Sequence, residues 1–394
     1  MSHLNEFPVA RPNGCPFDPP AELSRIRAQE PLVRLTYPDG HEGWLATGYA
    51  ENRAVLADQR FSSRYELAHF PLPGAESVSE FPPAPPGDMT GIDAPEHTRF
   101  RKLLAGKFTV RRMRQLTERI EQITAEHLDA MASKGPDAEL VQAFAHPVPA
   151  MTICELLGVP YEDRDHFQAL VAAVFNPEAG PEDMFAGYTT LQNYIGDLVQ
   201  AKRSAPTDDL LSDLTSSDLT DDELSGVGAF LLGAGLDTTM NQLSLGTFAL
   251  LRNPAQIEAL HEDPDKAVEE LLRYLTITHT GVRAALEDVE IGGQLVKAGE
   301  SVTLSLQTAN RDPARFDDPD ALDLRRTAMG HLTFGHGVHQ CLGQQLARVE
   351  LRVAMPALFQ AFPTLRLAGE PVLRPGHQSI YGVQYLPVTW EDNR

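Results

Sequence analysis

Cys341 stands in the run Thr333-Phe334-Gly335-His336-Gly337-Val338-His339-Gln340-Cys341-Leu342-Gly343, immediately before a helical pattern from Gln344 to Leu358. Glycines let backbone N–H groups come close to a neighbouring atom and permit positive φ. The N-terminus of the following helix adds a partial positive charge. Both effects favour thiolate over thiol. A thiolate held by N–H donors and facing an open cavity is the ligand chemistry of a haem-thiolate iron, where electron donation from sulfur promotes O–O cleavage. Two other readings share the pattern. One is a turn whose cysteine is incidental. The other is zinc, since His331, His336, His339 and Cys341 lie within eleven residues, although that spacing forms no paired-ligand knuckle. Cys15 and Cys154 are far away and no C-x-x-C occurs, so no disulfide framework is implied. Cys154, inside an apolar run, reads as a small buried hydrophobe.

A second unusual stretch lies in the middle of a long helical pattern. Thr220-Asp221-Asp222-Glu223 reads as a capping box, and the apolar run to Asn253-Pro254 predicts a helix of about 50 Å that must cross the core. Its centre is Gly233-Ala234-Gly235-Leu236-Asp237-Thr238-Thr239. Each glycine costs about 1 kcal/mol relative to alanine, and a carboxylate and two hydroxyls interrupt an apolar face. Helix packing through the glycines is one explanation, a functional site the other. Farther on, Glu270 and Arg273 are three apart and share one face of a predicted helix from Pro264 to Leu275.

The elements that position these residues are mostly helical. Apolar Met113, Leu116, Ile120, Ile123 and Leu128 predict a helix from Arg111 to Ala132, stopped by Gly135-Pro136. Further helices are predicted at 147–157, 162–175, 182–203, 221–252 and 343–361. A strand pair bounded by turns is read around Gly43 to Tyr49, and short strands at Gln294 to Val296 and Ser301 to Leu306. The expectation is a mostly α fold with minor β: a helix-rich core over about 95–275 and 343–361, and β-rich parts near 30–50, 289–306 and 375–394. Pro71, Pro73, Pro82, Pro83, Pro85 and Pro86 make 71–87 a long loop, of the kind that serves as a lid. No linker divides the chain, which is read as a single domain over 1–394.

Phe334-Gly335-His336-Gly337-Val338-His339-Gln340-Cys341-Leu342-Gly343 resembles the F-x-x-G-x-H-x-C-x-G haem-binding loop of the cytochrome P450s, and the family's other landmarks follow in order over nearly the full length. The resemblance implies a triangular fold with a long central helix over the haem. Ala234-Gly235-Leu236-Asp237-Thr238-Thr239 resembles the segment lying over the haem, which implies a widened turn with room for O2, Thr238 hydrogen-bonding the oxygen bound there, and Asp237 relaying protons. Glu270-Leu271-Leu272-Arg273 resembles the buried E-x-x-R pair, whose third member is expected to be Arg326, or else Arg325. By the same resemblance Cys341 is the iron ligand of haem b, Phe334, Gly335, Gly343 and Ala234 line the haem, and His97, Arg101, Arg283 and His339 hold its propionates. Substrate-pocket walls are expected at the 62–90 loop, the 170–190 region, Leu231, Ala234, Thr280, Val282, Ile380 and Tyr381. His279 is either a functional-group selector or a satisfied loop histidine.

Formal charge is −22, with 33 Lys and Arg against 55 Asp and Glu, which argues against a nucleic-acid surface. Residues 99–114 nevertheless hold seven cations and no anion. Such an island on an anionic body can steer an acidic partner, and Lys102, Arg111 and Arg112 are its expected docking residues. No flavin domain or cysteine cluster is present to carry electrons. They are expected from NAD(P)H through a ferredoxin reductase and a small acidic ferredoxin. With no apolar run of membrane-spanning length, the chain is read as a cytoplasmic monomer, with no membrane association, that oxygenates an apolar small molecule, most simply by hydroxylation. A haem sensor and a peroxide-driven haem enzyme are the alternatives, and neither needs the Asp237 and Thr238 pair.

Overall fold

The computed structural model describes residues 2–391 apart from 13, 74–80, 109, 165, 168 and 171–180. The middle of the predicted lid loop, and Asn176, Pro177 and Gly180 of the 170–190 region, therefore lie outside the described residues.

The central helix runs from Asp221 to Arg252. Thr220 Oγ1 accepts the Glu223 N–H and the Glu223 carboxylate accepts the Thr220 N–H at 2.8 Å, so the capping box is complete. From Thr239 to Leu250 every residue is buried, and the polar Asn241, Ser244 and Thr247 among them hydrogen-bond to carbonyls of their own helix. It packs against helices Pro147–Leu157, Pro181–Ser204, Pro264–Leu275 and Gln344–Ala361. Asp263 caps the helix Pro264–Leu275 by accepting the Lys266 N–H, with Pro264 in the first turn, where its missing N–H costs nothing. The predicted Arg111 to Ala132 helix is Val110–Lys134.

Strands flank this bundle. A six-stranded sheet has the order His3–Leu4, Leu32–Thr36, Glu42–Ala46, Ser301–Ser305, Thr280–Ala285, Phe61–Ser62. Leu32–Thr36 pairs antiparallel with Glu42–Ala46, so the N-terminal strand pair begins about ten residues earlier than Gly43 to Tyr49 suggests. Thr280–Ala285, unmarked in the sequence pattern, is held between Ser301–Ser305 and Phe61–Ser62 and has a partly exposed first half. It carries Arg283 towards the cleft described below.

The end of the 71–87 loop, Pro86 and Gly87, packs on the central helix. Gly87 has φ +87°, and a side-chain carbon there would collide with the Val227 N–H. Gly226 has no room either, because the Pro86 carbonyl oxygen occupies the place of its Cβ. One larger core cluster joins Leu243, Phe248, Leu271, Met355 and Leu358. A second joins Phe100, Ile120, Ile153, Leu231 and Leu346. The two clusters take up the C-terminal and N-terminal parts of the central helix, the second reaching Leu236 and the first beginning at Met240.

Candidate active site

The Cys341 loop is folded around its own backbone. The Leu332 carbonyl accepts the Gly335 N–H at 2.8 Å, and the Phe334 carbonyl accepts the Cys341 N–H at 2.8 Å. Gly335 and Gly337 have φ of 69° and 75°. Gly337 has a further constraint, since a Cβ there would strike the Leu56 carbonyl oxygen. Gly343 is the N-cap of Gln344–Ala361 at φ −81° and does not use glycine's freedom. Burial pushes the Cys341 thiol above its ordinary value, against the downward pull of the Gly343 and Gln344 N–H groups, Arg101 and Arg348. The loop and helix terminus act as expected from the sequence, but desolvation outweighs them. A cation at the sulfur is what would hold it as thiolate.

Cys341 shares a mostly apolar cavity with Leu231, Ala234, Gly235, Thr238, Phe334, Gly343 and Leu346. Gly235 packs so closely that a Cβ would lie 2.6 Å from Ile153 Cδ1. The helix stays α-helical through 233–239 and shows no widened turn there. Thr238 Oγ1 donates instead to the Ala234 carbonyl at 2.6 Å. Asp237 is turned to the other side, between Arg374 and Asn241. Glu350, fully buried, also lines the cavity, and burial raises its pKa well above the carboxylate range.

A cleft of about 700 Å³ adjoins the loop and brings His97, Arg283 and His339 together, with Asp93 on its wall. The His97 and His339 rings lie 3.9 Å apart, and His97 Nε2 is buried without a hydrogen-bond partner. Burial, then His97, Arg283 and Arg101, depress His339 to about 3, and burial, then Arg101, depresses His97. Arg283 donates to its neighbour's carbonyl, that of Val282, at 2.8 Å, and burial lowers its pKa. Unmet positive potential of this density, with an orphaned imidazole nitrogen, fits the carboxylates at the edge of a haem whose flat face is covered by the apolar cavity.

Behind the loop, Glu270 and Arg273 are both 0% exposed and joined by two bonds of 2.7 and 2.8 Å. Arg326 Nε donates to Glu270 Oε1 at 3.1 Å, whereas Arg325 pairs with exposed Glu262. Arg348, one helical turn beyond Gln344, lies over the Phe334 ring at 4.5 Å and donates to Glu269, which also accepts from His331 at 3.1 Å. Burial raises the Glu269 carboxyl, but those two bonds outweigh it and hold it at about 2. His331 and His339 therefore have separate partners and do not converge with Cys341 on a zinc-like site.

Sequence reasoning missed Arg348 and Arg374. Arg348 was within reach, because it lies four residues after Gln344 on the same face of the helix that follows the cysteine loop. Arg374 had no signal, since its partner is 137 positions away. Among the expected pocket residues, Thr280 and Val282 sit on the strand opposite Ser305 and Thr303. Ile380 bridges Thr278. Tyr381 faces Arg11 at 3.7 Å and donates to the Pro16 carbonyl. His279 is buried and accepts from Arg11 at 2.6 Å, which makes it a satisfied histidine. The basic island is partly compensated: Arg99 pairs with Asp218 and Glu223, Arg111 with Asp208, and Arg112 with Asp213. Cys154 is a buried thiol pushed up to about 12 by desolvation.

A family model described as cytochrome P450 matches residues 264–380. Cytochrome P450 105C1 from a Streptomyces species is 49% identical over 95% of this chain and 96% of its own length. Pentalenic acid synthase from Streptomyces avermitilis is 43% identical over 97% of this chain and 98% of its own. The crystal structure of CYP105P1 in complex with filipin I superposes with a TM-score of 0.89 at 41% identity, covering 99% of this chain and all of that one. The chain belongs to the cytochrome P450 family and is a monooxygenase, and membership brings haem as cofactor and O2 as co-substrate. No helix among the described residues is long and apolar enough to cross a membrane.

Proposed function

We propose that this monooxygenase hydroxylates an apolar small molecule of secondary metabolism or a xenobiotic, with Cys341 as the thiolate that would hold the iron of haem b. The observation that carries the reading is the convergence of Cys341, the apolar cavity under Ala234 and Thr238, and the carboxylate-hungry cluster of His97, Arg101, Arg283 and His339. Pentalenic acid synthase and the filipin I complex, both named for such compounds, support the substrate class.

When bound, haem supplies O2 activation driven by two externally delivered electrons. The chain's own residues do the rest. The cavity walls exclude water and orient an apolar substrate by contact. The cationic cluster fixes the propionate edge, and Glu270, Arg273 and Arg326 brace the loop from behind. Thr238 offers a hydroxyl one helical turn above Ala234, and Asp237, its neighbour in sequence, held by Arg374 and Asn241 on the other side of the helix, takes up protons from solvent for delivery towards that hydroxyl. Electrons reach the site from NAD(P)H through a reductase and an acidic ferredoxin. Lys102, Lys107 and Arg114, without an ion-pair partner among the described residues, are the available cations of the island. The chain works as one domain, a cytoplasmic monomer.

The test is the absorption spectrum of purified protein reduced with dithionite and exposed to carbon monoxide, beside Cys341→Ala. A strongly red-shifted Soret band that vanishes in the variant is the expected result. A colourless protein, or the band of imidazole-ligated haem, overturns the assignment.

A further inference from the structure

Asn310 lies outside every motif discussed above, just after the sheet strand Ser301–Ser305 and the short helix Leu306–Ala309. It is 0% exposed. Its side-chain oxygen accepts the Leu332 N–H at 2.6 Å, and its two amide hydrogens go to Thr276 Oγ1 at 2.9 Å and Thr333 Oγ1 at 3.0 Å. Its backbone carbonyl accepts from Arg273 Nη1 at 2.9 Å. One buried residue thus touches the end of the Glu270 helix and the first residues of the Cys341 loop through its side-chain amide, and the buried ion pair through its backbone carbonyl.

The proton count closes. Thr276 Oγ1 donates to the Arg273 carbonyl at 2.8 Å, and Thr333 Oγ1 donates to the Leu272 carbonyl at 2.8 Å. Each hydroxyl has spent its hydrogen on a carbonyl of the helix's last turn and offers a lone pair to one amide hydrogen of Asn310. Only a side chain with two donors and an acceptor fits. Aspartate has the same shape and no donor: it would set carboxylate oxygen against the hydroxyls' lone pairs or turn the hydroxyls from the helix carbonyls, at the cost of buried unsatisfied groups. The knot also holds Thr276, a β-branched residue, at φ 36° and ψ 72°, a left-handed conformation that such residues avoid.

From this knot the path to the sulfur is short. Leu332, fixed by Asn310 through its N–H, accepts the Gly335 N–H, and Phe334, next to Thr333, accepts the Cys341 N–H. We propose that Asn310 is a positioning residue for Cys341: it sets the start of the 331–341 loop against the Glu270 helix and thereby fixes where the thiolate sits. This rests on Cys341 being the axial ligand.

The experiment uses the haem-loaded full chain and four variants: Asn310→Asp, Thr333→Val, Thr333→Ser and Cys341→Ala. The readouts, taken well below the melting temperature, are the share of the strongly red-shifted band in the reduced carbon monoxide complex and the rate at which that band is lost. Asn310→Asp and Thr333→Val should bind haem yet lose the red-shifted share severalfold and convert faster, while Thr333→Ser, which restores the hydroxyl, should match the unaltered protein. If Asn310→Asp does not fold, Thr333→Val decides, because it keeps the shape and removes only the hydroxyl. An unchanged band and conversion rate in Thr333→Val overturns the proposal. A red-shifted band persisting in Cys341→Ala overturns it at its root, by removing the ligand assignment itself.

Discussion

Arg374 grips Asp237 with both ends of its guanidinium, at 2.7 and 3.1 Å, while Asn241 donates to the same carboxylate at 3.1 Å. The one carboxylate in the middle of the central helix is therefore oriented by a residue from the C-terminal strand region. Arg374→Gln should leave haem content unchanged and lower the yield of product per NAD(P)H severalfold, because the carboxylate is no longer held in one orientation. Product yield equal to that of the unaltered protein would remove Arg374 from the proton path.

Thr238 already donates to Ala234 at 2.6 Å, so its hydroxyl is held in place along its own helix. Thr238→Ala should keep haem and substrate binding and divert reducing equivalents into peroxide, while Thr238→Ser should retain most of the coupling. The check is peroxide formed against product formed. Tight coupling in the alanine variant would sink the role.

Glu270 is buried between two arginines. Removing it leaves Arg273 without its counter-charge, a loss of about 3–5 kcal/mol, so Glu270→Ala should not retain haem. Arg325→Ala, which breaks only exposed pairs with Glu258 and Glu262, should change stability by less than about 1 kcal/mol. Thermal melts and haem-to-protein ratios decide between the two.

His279 titrates at about 3 in the fold, against an ordinary 6.5, because of burial first and Arg11 second. Between those values the unfolded chain binds a proton that the folded chain does not. The stability it confers is complete above about pH 6.5 and is lost as pH falls towards 3, reaching about 2 kcal/mol at pH 5. His279→Gln, which can still accept from Arg11, should flatten that slope. An identical acid dependence in both proteins would refute it.

Arg112 is mostly buried and paired with Asp213. Arg112→Glu should therefore lower the melting temperature, whereas Lys102→Glu should leave it alone and slow reduction by an acidic ferredoxin, weakening its salt dependence. Stopped-flow reduction at several ionic strengths tests this.

Local chemistry in the sequence is enough to place the helices and the cysteine loop. The Thr220 and Glu223 capping box, Pro264 after Asp263, and apolar periodicity from Met113 to Leu128 act within one or two turns, so each is readable without knowing the fold. The same holds for Cys341 with its glycines, and for Glu270 with Arg273, because i, i+3 spacing already puts them on one face. Strand Thr280–Ala285 escaped notice, because its pairing with Ser301–Ser305 comes from a neighbour across the sheet.

Tertiary structure decided everything that depends on desolvation and on contacts between distant segments. Composition placed seven cations in residues 99–114, but only packing brought Asp208, Asp213, Asp218 and Glu223 against them. Sequence predicted a thiolate-favouring loop at Cys341, but the depth of burial sets the sign of the shift. Arg374 on Asp237 and Asn310 under the cysteine loop are unreadable in the linear chain for the same reason: a hydrogen bond depends on a few ångströms in space and is indifferent to how many residues lie between its partners.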